Sequence, residues 1–375
     1  MPRNRVIYQS EALYVSEKIN STGVGKHHQL ERVQSANYNF SVNRQDINEF
    51  GSLARIDSVV MEAPTVGLDF SYYLTDGMNE RALGFFVQTG TTGAGAISGQ
   101  FTSGHMVQDS GQNFFITTVP EGSDAVGTTD GTGVTAIGLG NAFLTDYTLD
   151  LAVGSLPTVS VSMECANINS DIGISSPDDG LGGITLPSVS VTDGTKIAGS
   201  VVLPASTTGE STISALRPGD VTVDISNLNG ETIAKLGNGT EIDAAHVQSA
   251  SLSVPMSRTP IQRLGTRFAY ARTVDFPLVS TLSVNAILND VTAANLADII
   301  DLNSTNDVTI TVKDKDGVNA MLYKLKGCKI DSESFSSSIG SDKTVDLTFS
   351  TQIGGVNDTN NGVFVSGANK TIVYS

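Results

Sequence analysis

Apolar and polar residues alternate along several segments of the chain, with a period of two. This pattern is typical of a β-strand that buries one face and exposes the other. It is clearest in two segments that have the same spacing. The alternating apolar residues are Tyr38, Phe40 and Val42 in the first segment and Leu252, Val254 and Met256 in the second. The chain is therefore expected to form half-buried strands, at least two of them closely similar.

The similarity extends beyond these strands. The stretch Val33–Asp76 is repeated at Val247–Asp290, with an offset of 247 − 33 = 214. Val33–Ala36 is identical to Val247–Ala250, and the same offset matches further residues across the whole stretch. A chance match of four residues would not extend so far in one register. The matching pairs are Arg44 with Arg258, Ile47 with Ile261, Gly51 with Gly265, Val60 with Val274, Leu74 with Leu288 and Asp76 with Asp290.

A second pair of segments also repeats. The segment from Tyr147 to Met163 aligns with the segment from Glu333 to Phe349, with an offset of 333 − 147 = 186. The first copy thus holds 214 − 186 = 28 more residues between the two matched regions. Two segments rich in glycine and threonine, Gly90–Gly111 and Glu121–Gly140, account for this difference and are predicted to be loops.

The remaining pattern predicts the other elements. Strands are expected at Ala12–Ser16, Leu30–Val42, Asp57–Ala63, Thr65–Leu74, Asn113–Val119, Ala142–Leu151, Thr158–Cys165, Arg217–Ser226 and Val308–Val312. Short helices are expected at Asn79–Val87 and Thr292–Ile300, the latter with Thr292 as N-cap. Long hairpin loops are expected at Glu17–Gln29 and Asn227–Ala245. Asn43–Ile56 is expected to be a polar connection, with a turn at Arg44–Asp46 and Phe50 as its anchor. A further turn is expected at Asp314–Gly317.

These elements define a mainly β protein made of two tandem domains. Each domain is expected to be a β-sandwich or half-open barrel with a short flanking helix and a long hairpin loop. We predict domain copy 1 at residues 1–168 and domain copy 2 at residues 215–375. Residues 169–214, rich in proline and glycine, are predicted to be a linker or surface embellishment.

Charge and composition narrow the possible functions. The net charge is −17, which disfavours ordinary binding to the nucleic-acid backbone but suits a surface past which DNA must slide without adhering. The alternative is that the charge only keeps the protein soluble. The beginning of the chain lacks the apolar segment of a secretion signal, and no apolar run is long enough for a membrane span. We therefore expect synthesis in a cytoplasm and no membrane association.

The residues offer no catalytic or metal-binding constellation. His27 and His28 lie in a predicted loop with no carboxylate or cysteine at ligand spacing, and Cys165 and Cys328 belong to no Cys/His motif. These cysteines are expected to be incidental thiols, although a bridge between them remains an alternative. No cofactor, metal or enzymatic activity is predicted.

With the repeat established, the chain resembles the phage tail tube protein family, the major tail proteins, in its fused two-domain variety. The residues that carry the resemblance are Val33–Gly51, Pro64–Gly77 with the short helix after it, and the closing hairpin Tyr147–Cys165. The resemblance covers most of the chain apart from residues 169–214. It implies two packed β-sheets, a flanking helix and a hairpin loop that reaches the next ring.

The resemblance also implies a function. Three two-domain chains would form a pseudo-hexameric ring, and stacked rings would form the tail tube that conducts DNA during ejection. The implied partners are further copies of the chain, the tape measure protein, the tail terminator, the baseplate or tip proteins and, in a contractile tail, the sheath. DNA would pass without specific binding, and the protein would be located in the virion tail after assembly in the host cytoplasm. The Gly/Thr-rich insertions of copy 1 are expected on the tube exterior.

Six residues are candidates for assembly contacts. Arg44 and Arg258 occupy equivalent positions, and each either pairs with an acidic residue of a neighbouring subunit or braces its own following turn. The hairpin loops contribute Lys18, Lys26, Glu231 and Lys235 as candidates for contacts with adjacent rings.

Two other classes of protein remain as alternatives. One is a virion adhesin, decoration protein or lectin-like binding module, although the absence of tryptophan disfavours a sugar site. The other is a hydrolase on a β scaffold, which would need a catalytic constellation that the residues do not provide.

Overall fold

The chain is mainly β, which confirms the predicted fold class. The structure is a computed structural model, and it describes residues 11–62, 64–90, 99–125, 132–172, 174, 180–204, 216, 221–227, 232–237, 246–262, 264, 268–269, 271–287, 305–314, 319–336 and 344–367. We call residues 11–172 the first block and residues 221–367 the second block.

The first half of the described chain contains most of the named elements. Its strands are β1 (Glu11–Ser16), β2 (His27–Gln29), β3 (Val33–Ser41), β4 (Arg44–Ile47), β5 (Asp57–Val60), β6 (Thr65–Tyr73), β7 (Val87–Thr89), β8 (Gln112–Thr118), β9 (Thr135–Ala152), β10 (Thr158–Cys165), β11 (Asn167–Ile172), β12 (Gly180–Thr185) and β13 (Ser200–Pro204). Its helices are α1 (Met78–Ala82) and α2 (Ser103–Met106), and a 3₁₀ turn spans Val24–Lys26.

The second half is built from strands in the same order. They are β14 (Val221–Asn227), β15 (Thr232–Gly237), β16 (His246–Pro255), β17 (Arg258–Ile261), β18 (Ala271–Val274), β19 (Val279–Ile287), β20 (Asn306–Lys313), β21 (Asn319–Ser336), β22 (Thr344–Gln352) and β23 (Gly362–Gly367). The predicted helix Thr292–Ile300 lies outside the described residues, as does most of the predicted turn Asp314–Gly317.

One antiparallel sheet of eight strands runs through both blocks, and we call it the central sheet. Its order is β3-β6-β10-β9-β16-β19-β22-β21. Two outer sheets complete the fold, with the orders β2-β1-β8-β9-β11 and β15-β14-β20-β21-β23-β7. The 18-residue strands β9 and β21 belong to both layers, because each passes from an outer sheet into the central sheet.

The strand registers of the two blocks agree with the offsets found in the sequence. Ala36 pairs with Phe70 in the first block and Ala250 with Val284 in the second, so both partners shift by 214. In the closing hairpins, Val159 pairs with Leu149 and Val345 with Phe335, a shift of 186 on both sides. The boundary predicted after residue 168 falls inside β11, and the division into domains stays a prediction.

The apolar core lies between the central and outer sheets. Alternating residues of β6, including Val66, Leu68 and Phe70, are buried as the pattern predicts. One continuous cluster contains these residues together with Leu252 and Val284 of the second block. Since each fully buried aliphatic or aromatic side chain contributes roughly 1.5–3 kcal/mol, this shared core holds the two blocks together.

Several sequence expectations about connections are wrong. Arg44–Asp46 is strand rather than turn, because β4 pairs with β5 from Arg44↔Val60 to Ile47↔Asp57 and the turn falls at residues 48–56. Phe50 is not a buried anchor in the described chain, since its side chain is fully exposed at the tip of this hairpin. Part of the predicted loop Gly90–Gly111 is helix, because Ser103–Met106 forms α2. In the second Gly/Thr-rich segment, Thr135–Gly140 belongs to β9, because it pairs with both β8 and β11.

The loop predicted at Glu17–Gln29 is also shorter and more buried than expected. Residues His27–Gln29 form β2, which pairs with β1, and all three are buried. Ile19 and Ser21 are buried too, because residues 180–204 cover this region. Val202 N donates to Thr22 O at 3.1 Å. A protruding hairpin at this position is therefore absent from the described chain.

The segment between the blocks folds onto the first outer sheet. Strands β12 and β13 pair as a hairpin, and Leu181 and Leu203 join a second apolar cluster with Tyr14 and Phe115. Counterparts in the second block are polar: Asp224 and Thr309 occupy the positions that Tyr14 and Phe115 hold in the β1–β8 pairing. The hairpin thus covers an apolar face that exists in the first block alone among the described residues.

A buried carboxyl group sits at the centre of the shared core. Glu80 Oε1 accepts hydrogen bonds from Tyr72 Oη at 2.8 Å and Tyr147 Oη at 3.4 Å, and Tyr147 Oη lies 3.1 Å from Tyr323 Oη of the second block. Burial raises the pKa of Glu80 to about 6, against partial compensation by these hydrogen bonds. The carboxyl group is therefore ionised at neutral pH at a cost in stability.

Glu80→Gln is expected to stabilise the protein at pH 7.5 by about 2 kcal/mol and to have little effect at pH 4. The pKa of Glu80 is higher in the folded than in the unfolded chain. The contribution of its protonated form to the free energy of unfolding is therefore fully present below pH 4.5 and is lost as pH rises through 6. Glutamine keeps an oxygen that can accept from Tyr72. Urea unfolding at both pH values measures the effect, and equal stabilisation at both would contradict it.

Candidate assembly surface

The central sheet has two edges that pair with nothing in the described chain. At one edge, β3 pairs with β6 on its inner side only. At the other, the second half of β21 pairs only with β22. An unpaired strand edge presents a row of N–H and C=O groups that can bind another strand. The two edges come from different blocks, and their counterparts inside the chain are already paired with each other.

That internal pairing is the seam, which we define as the ladder between β9 and β16. It runs from Ser249↔Ala152 to Pro255↔Asp146. Val153 N donates to Gln248 O at 2.9 Å, and Met256 N donates to Thr145 O at 2.8 Å. Hydrogen-bonded positions alternate along an antiparallel ladder, so the N–H groups of every second β16 residue face β9.

Exposure differs sharply between β3 and its counterpart β16. Leu252 and Val254 are 1% and 0% exposed, because β9 and the core cover them. Their counterparts at the offset of 214, Tyr38 and Phe40, are 42% and 62% exposed. The same apolar alternation is thus buried at the seam and open at the β3 edge, and such exposure is typical of a contact surface.

Two arginines stabilise the seam. Arg258 on β17 is buried, and its guanidinium donates to the backbone oxygens of His105, Gln108 (3.2 Å) and Arg272 (3.0 Å). Its Cζ atom also lies 4.9 Å from the ring centre of Phe143. Burial, and then the neighbouring charge of Arg272, lowers the pKa of Arg258 to about 10. The residue is thus fixed between the blocks.

Arg272 on β18 adds an ion pair to the same seam. Its Nη1 lies 2.5 Å from Glu164 Oε1 of β10, and both side chains are largely shielded from solvent. Its Cζ atom lies 5.6 Å from the Phe143 ring centre. Because the charges are shielded, loss of either partner would leave the other poorly solvated. No sequence pattern indicated this ion pair, since none placed β10 close to β18.

The six predicted assembly residues fall in different environments. Arg258 contacts the first block, whereas Arg44 at the equivalent position is exposed on β4. Lys18 is exposed. Lys26 Nζ lies 3.4 Å from Glu17 Oε2, within the same loop. Lys235 lies on β15, so this part of the loop predicted at Asn227–Ala245 is a strand paired with β14. Glu231 lies outside the described residues. The described residues among these six lie on different elements, and the role of all six in assembly stays a prediction.

The solvent-facing side of the central sheet is polar. Serine, threonine and asparagine alternate with the buried apolar residues, and several donate to carboxylates on neighbouring strands. These hydrogen bonds are Ser162–Asp69, Ser251–Asp150 and Asn285–Asp346, each at 2.6 Å, and Ser350–Asp331 at 2.9 Å. The face therefore carries negative charges held in place by hydroxyl and amide donors.

A second exposed apolar surface lies on the β4–β5 hairpin. Phe50 and Leu53 at its tip are 108% and 110% exposed. Apolar residues on both arms are exposed as well, namely Ile47, Ile56, Val59 and Met61. Isolated apolar side chains are common on surfaces, but a group of this size on a projecting hairpin is typical of a protein contact site.

Catalysis or metal binding would depend on metal-ligating and nucleophilic side chains. The described residues include no group of three or more His, Cys, Asp or Glu side chains that could hold a metal ion. Cys165 and Cys328 are free and buried, and burial raises the pKa of each thiol to about 12. Among the helices of this part of the chain, none is long and apolar enough to cross a membrane.

Comparisons with known proteins give structural likenesses only. No protein-family model matches the chain, and no curated protein matches it significantly. Among solved structures, it is similar to the tail of an empty GTA particle (13% identity, 36% of this chain and 92% of that chain, TM-score 0.26). It is also similar to Hcp1 of E. coli EAEC 042 (8% identity, 39% of this chain and 97% of that chain, TM-score 0.24). A third similar structure is a chain of the anti-feeding prophage baseplate (10% identity, 40% of this chain and 94% of that chain, TM-score 0.26).

Proposed function

We propose that this chain is a non-enzymatic structural protein that closes into rings through its two free sheet edges. The observation that carries the proposal is the seam, where two blocks of equal strand register already join in one sheet. In the proposed joint, β21 of one chain pairs with β3 of the next as β9 pairs with β16. Three chains then supply six equivalent positions, each rotated by about 60° from the last.

The register of the joint follows from the seam by the two offsets. Ser253 pairs with Thr148 at the seam. Subtracting 214 from 253 and adding 186 to 148 places Asn39 opposite Ser334 at the joint. Phe40 then lies beside β21 of the neighbour, so its exposed ring becomes covered. Burial of Tyr38 and Phe40 would contribute a few kcal/mol per joint.

A closed ring of central sheets would enclose a channel lined by their polar face. The carboxylates of that face, including Asp69, Asp150 and Asp346, repel phosphate groups. DNA could then pass without binding. Together with the resemblance of the sequence to tail tube proteins, this supports a role as the tail tube of a phage virion. The tape measure protein, tail terminator, baseplate or tip proteins and any sheath would be its partners.

Stacking of the rings requires a contact along the tube axis, and the β4–β5 hairpin suits this role. Its exposed tip residues Phe50 and Leu53 would insert against the adjacent ring. The hairpin replaces the loop Glu17–Gln29 as our candidate for this contact, because that loop is packed against its own block.

Negative-stain electron microscopy and mass measurement of the purified chain test the proposal. We expect rings or hollow tubes at high concentration, with the mass of three chains per ring. A chain that stays monomeric at every concentration would exclude tube formation by this protein alone.

The joint itself can be tested by cysteine pairing. Asn39→Cys combined with Ser334→Cys is expected to form a disulfide between chains, because the equivalent pair Ser253↔Thr148 is a non-hydrogen-bonded position, where side chains are closest. A bond within one chain is excluded by the roughly 30 Å between the two edges of an eight-stranded sheet. Oxidised samples on a non-reducing gel should show covalent multimers.

The matched control moves the pair out of register. Ser41→Cys with Ser336→Cys places the thiols four residues apart along the strands, roughly 13 Å, and should cross-link far more slowly. Equal cross-linking by both pairs would indicate random collision and would contradict the register. The native thiols do not interfere, because Cys165 and Cys328 are buried.

A further inference from the structure

We propose that Arg44 of one chain binds Asp331 of the partner subunit, and that this ion pair directs the β3 edge to the β21 edge. The inference rests on the proposed joint and adds what makes the joint selective. Arg44 and Asp331 are both exposed in the single chain. Arg44 begins β4, just after the edge strand β3, and Asp331 lies on the other edge strand, β21. The two residues are therefore at opposite edges of the central sheet.

The seam shows where the side chain of Arg44 lies at the joint. Arg258, its counterpart, stacks over Phe143 of β9. At the joint, the offset of 186 places Lys329 where the seam has Phe143. Phe143 pairs with Glu164, and Lys329 pairs with Ser350, so both members of the pair shift by 186. An arginine cannot stack favourably on an ammonium group, so Arg44 must find another partner.

Asp331 lies beside that position. Its counterpart at the seam is Thr145, whose backbone oxygen accepts from Met256 N at 2.8 Å. Both residues sit at an irregularity in their strand, Thr145 opposite the Ser162/Met163 step and Asp331 between Ile330 and Ser332. The equivalent bond at the joint runs from Val42 N to Asp331 O, which brings Asp331 within two residues of Arg44.

The neighbouring groups leave this pairing as the favourable one. Asp46, on the same strand as Arg44, already accepts from Arg55 Nη1 through both carboxylate oxygens, at 3.1 and 3.3 Å. Asp331 accepts only a hydroxyl hydrogen bond, from Ser350 at 2.9 Å, among the contacts of the described chain. It can therefore also accept from a guanidinium, and it would separate the positive charges of Arg44 and Lys329.

The same comparison explains how the edges avoid the wrong partner. The seam has the pair Arg272–Glu164, and its joint counterparts are Ser58 and Ser350. If β3 of another chain displaced β16 from β9, Glu164 would face Ser58 and lose its cation, and Arg44 would face Thr145 instead of Asp331. Each ladder thus has its own ion pair, and exchange between them would lose both.

Charge reversal tests the pair. Arg44→Asp and Asp331→Arg are each expected to raise the concentration needed for ring assembly by about tenfold or more at low salt. The double variant should return to within about threefold of the wild-type value. Analytical ultracentrifugation at 50 mM and 500 mM NaCl measures this, and high salt should shrink the effect of each single variant.

Mixing the two single variants gives a sharper readout. An Arg44→Asp chain and an Asp331→Arg chain form favourable joints with each other but unfavourable joints with themselves. A ring of three cannot alternate two kinds of chain, so at least one joint stays unfavourable. The mixture should assemble better than either variant alone and less well than the double variant.

Controls separate this inference from the proposed function. Lys196→Glu makes the same change of charge at an exposed residue of the segment that covers the first outer sheet, away from the joint, and should assemble as wild type does. All variants should unfold at the wild-type temperature, since both residues are exposed. Wild-type rings with unaltered assembly of the single variants would overturn the ion pair and leave the proposed function standing. Absence of rings from the wild-type chain would overturn both.

Discussion

Phe40→Pro is expected to give a folded chain that forms no rings. Its counterpart Val254 lies at a position whose N–H group faces the neighbouring strand β9, so the N–H group of Phe40 faces the open edge of the central sheet. Proline removes this donor and places its ring where the next strand must lie. Because the N–H group is not used within the chain, an edge strand tolerates the change.

The effect on assembly should be large because every joint of the ring is altered. Loss of one ladder hydrogen bond leaves a buried carbonyl group without its donor, at a cost of about 1–3 kcal/mol, which corresponds to a weakening of each joint by roughly five- to 150-fold. Three such joints must form together to close the ring. Electron microscopy should show no rings at concentrations where the wild-type chain is fully assembled.

Phe40→Val is the matched control. Valine keeps the backbone donor and is the residue that stands at the equivalent position of the seam, Val254. It should assemble within a few-fold of the wild-type concentration. Circular dichroism and thermal unfolding should show both variants folded. Rings formed by a well-folded Phe40→Pro protein would rule out β3 as the joining edge.

Acid is expected to destabilise the first block strongly between pH 6.5 and pH 4. His27, His28 and His105 are buried, and burial lowers the pKa of each to about 4. For His105 the charge of nearby Arg258 lowers the pKa further. The rings lie in apolar surroundings: His27 contacts Phe115 and His105 contacts Phe85.

The direction follows from proton binding in the two states. Each histidine has a lower pKa in the folded chain than in the unfolded chain, so its contribution is fully present above pH 6.5 and is lost as pH falls to 4. Each shift corresponds to a loss of about 3 kcal/mol by pH 4, and the three together to about 9 kcal/mol. Glu80 opposes them by about 2 kcal/mol, because its pKa is raised.

Urea unfolding at pH 7.5, 6, 5 and 4 measures the loss. The midpoint should fall steadily below pH 6.5, and His28→Gln should reduce the pH dependence by about one third. A chain whose unfolding midpoint does not change between pH 7.5 and pH 5 would show that the histidines are accessible to protons in the folded state.

The sequence predicted the repeat and its registers. Period-two alternation is a local property of a strand, so the buried face of β6 was evident from Val66, Leu68 and Phe70. The two offsets, 214 and 186, return as equal shifts in the strand pairs. This works because a ladder that buries one face tolerates no slip by a single residue.

The hairpin connections were harder to predict. Arg44–Asp46 has turn-forming residues, yet it forms β4, because pairing with β5 satisfies its backbone groups. Phe50 is an apolar residue in a polar connection, and the sequence alone looks the same whether such a residue is buried or exposed. Exposure depends on which surface lies beside a residue, and that surface can belong to a different chain.

The sequence by itself determined that this protein is mainly β, that its pattern is repeated, and which residues of each strand share a face. Tertiary structure decided which strands meet. Tyr38 and Leu252 have equivalent positions in similar patterns, but only Leu252 is covered; Arg44 and Arg258 differ in the same way. The physical reason is that alternation specifies a face, whereas burial of that face and its edge depends on contacts between segments far apart in the chain, here between β9 and β16.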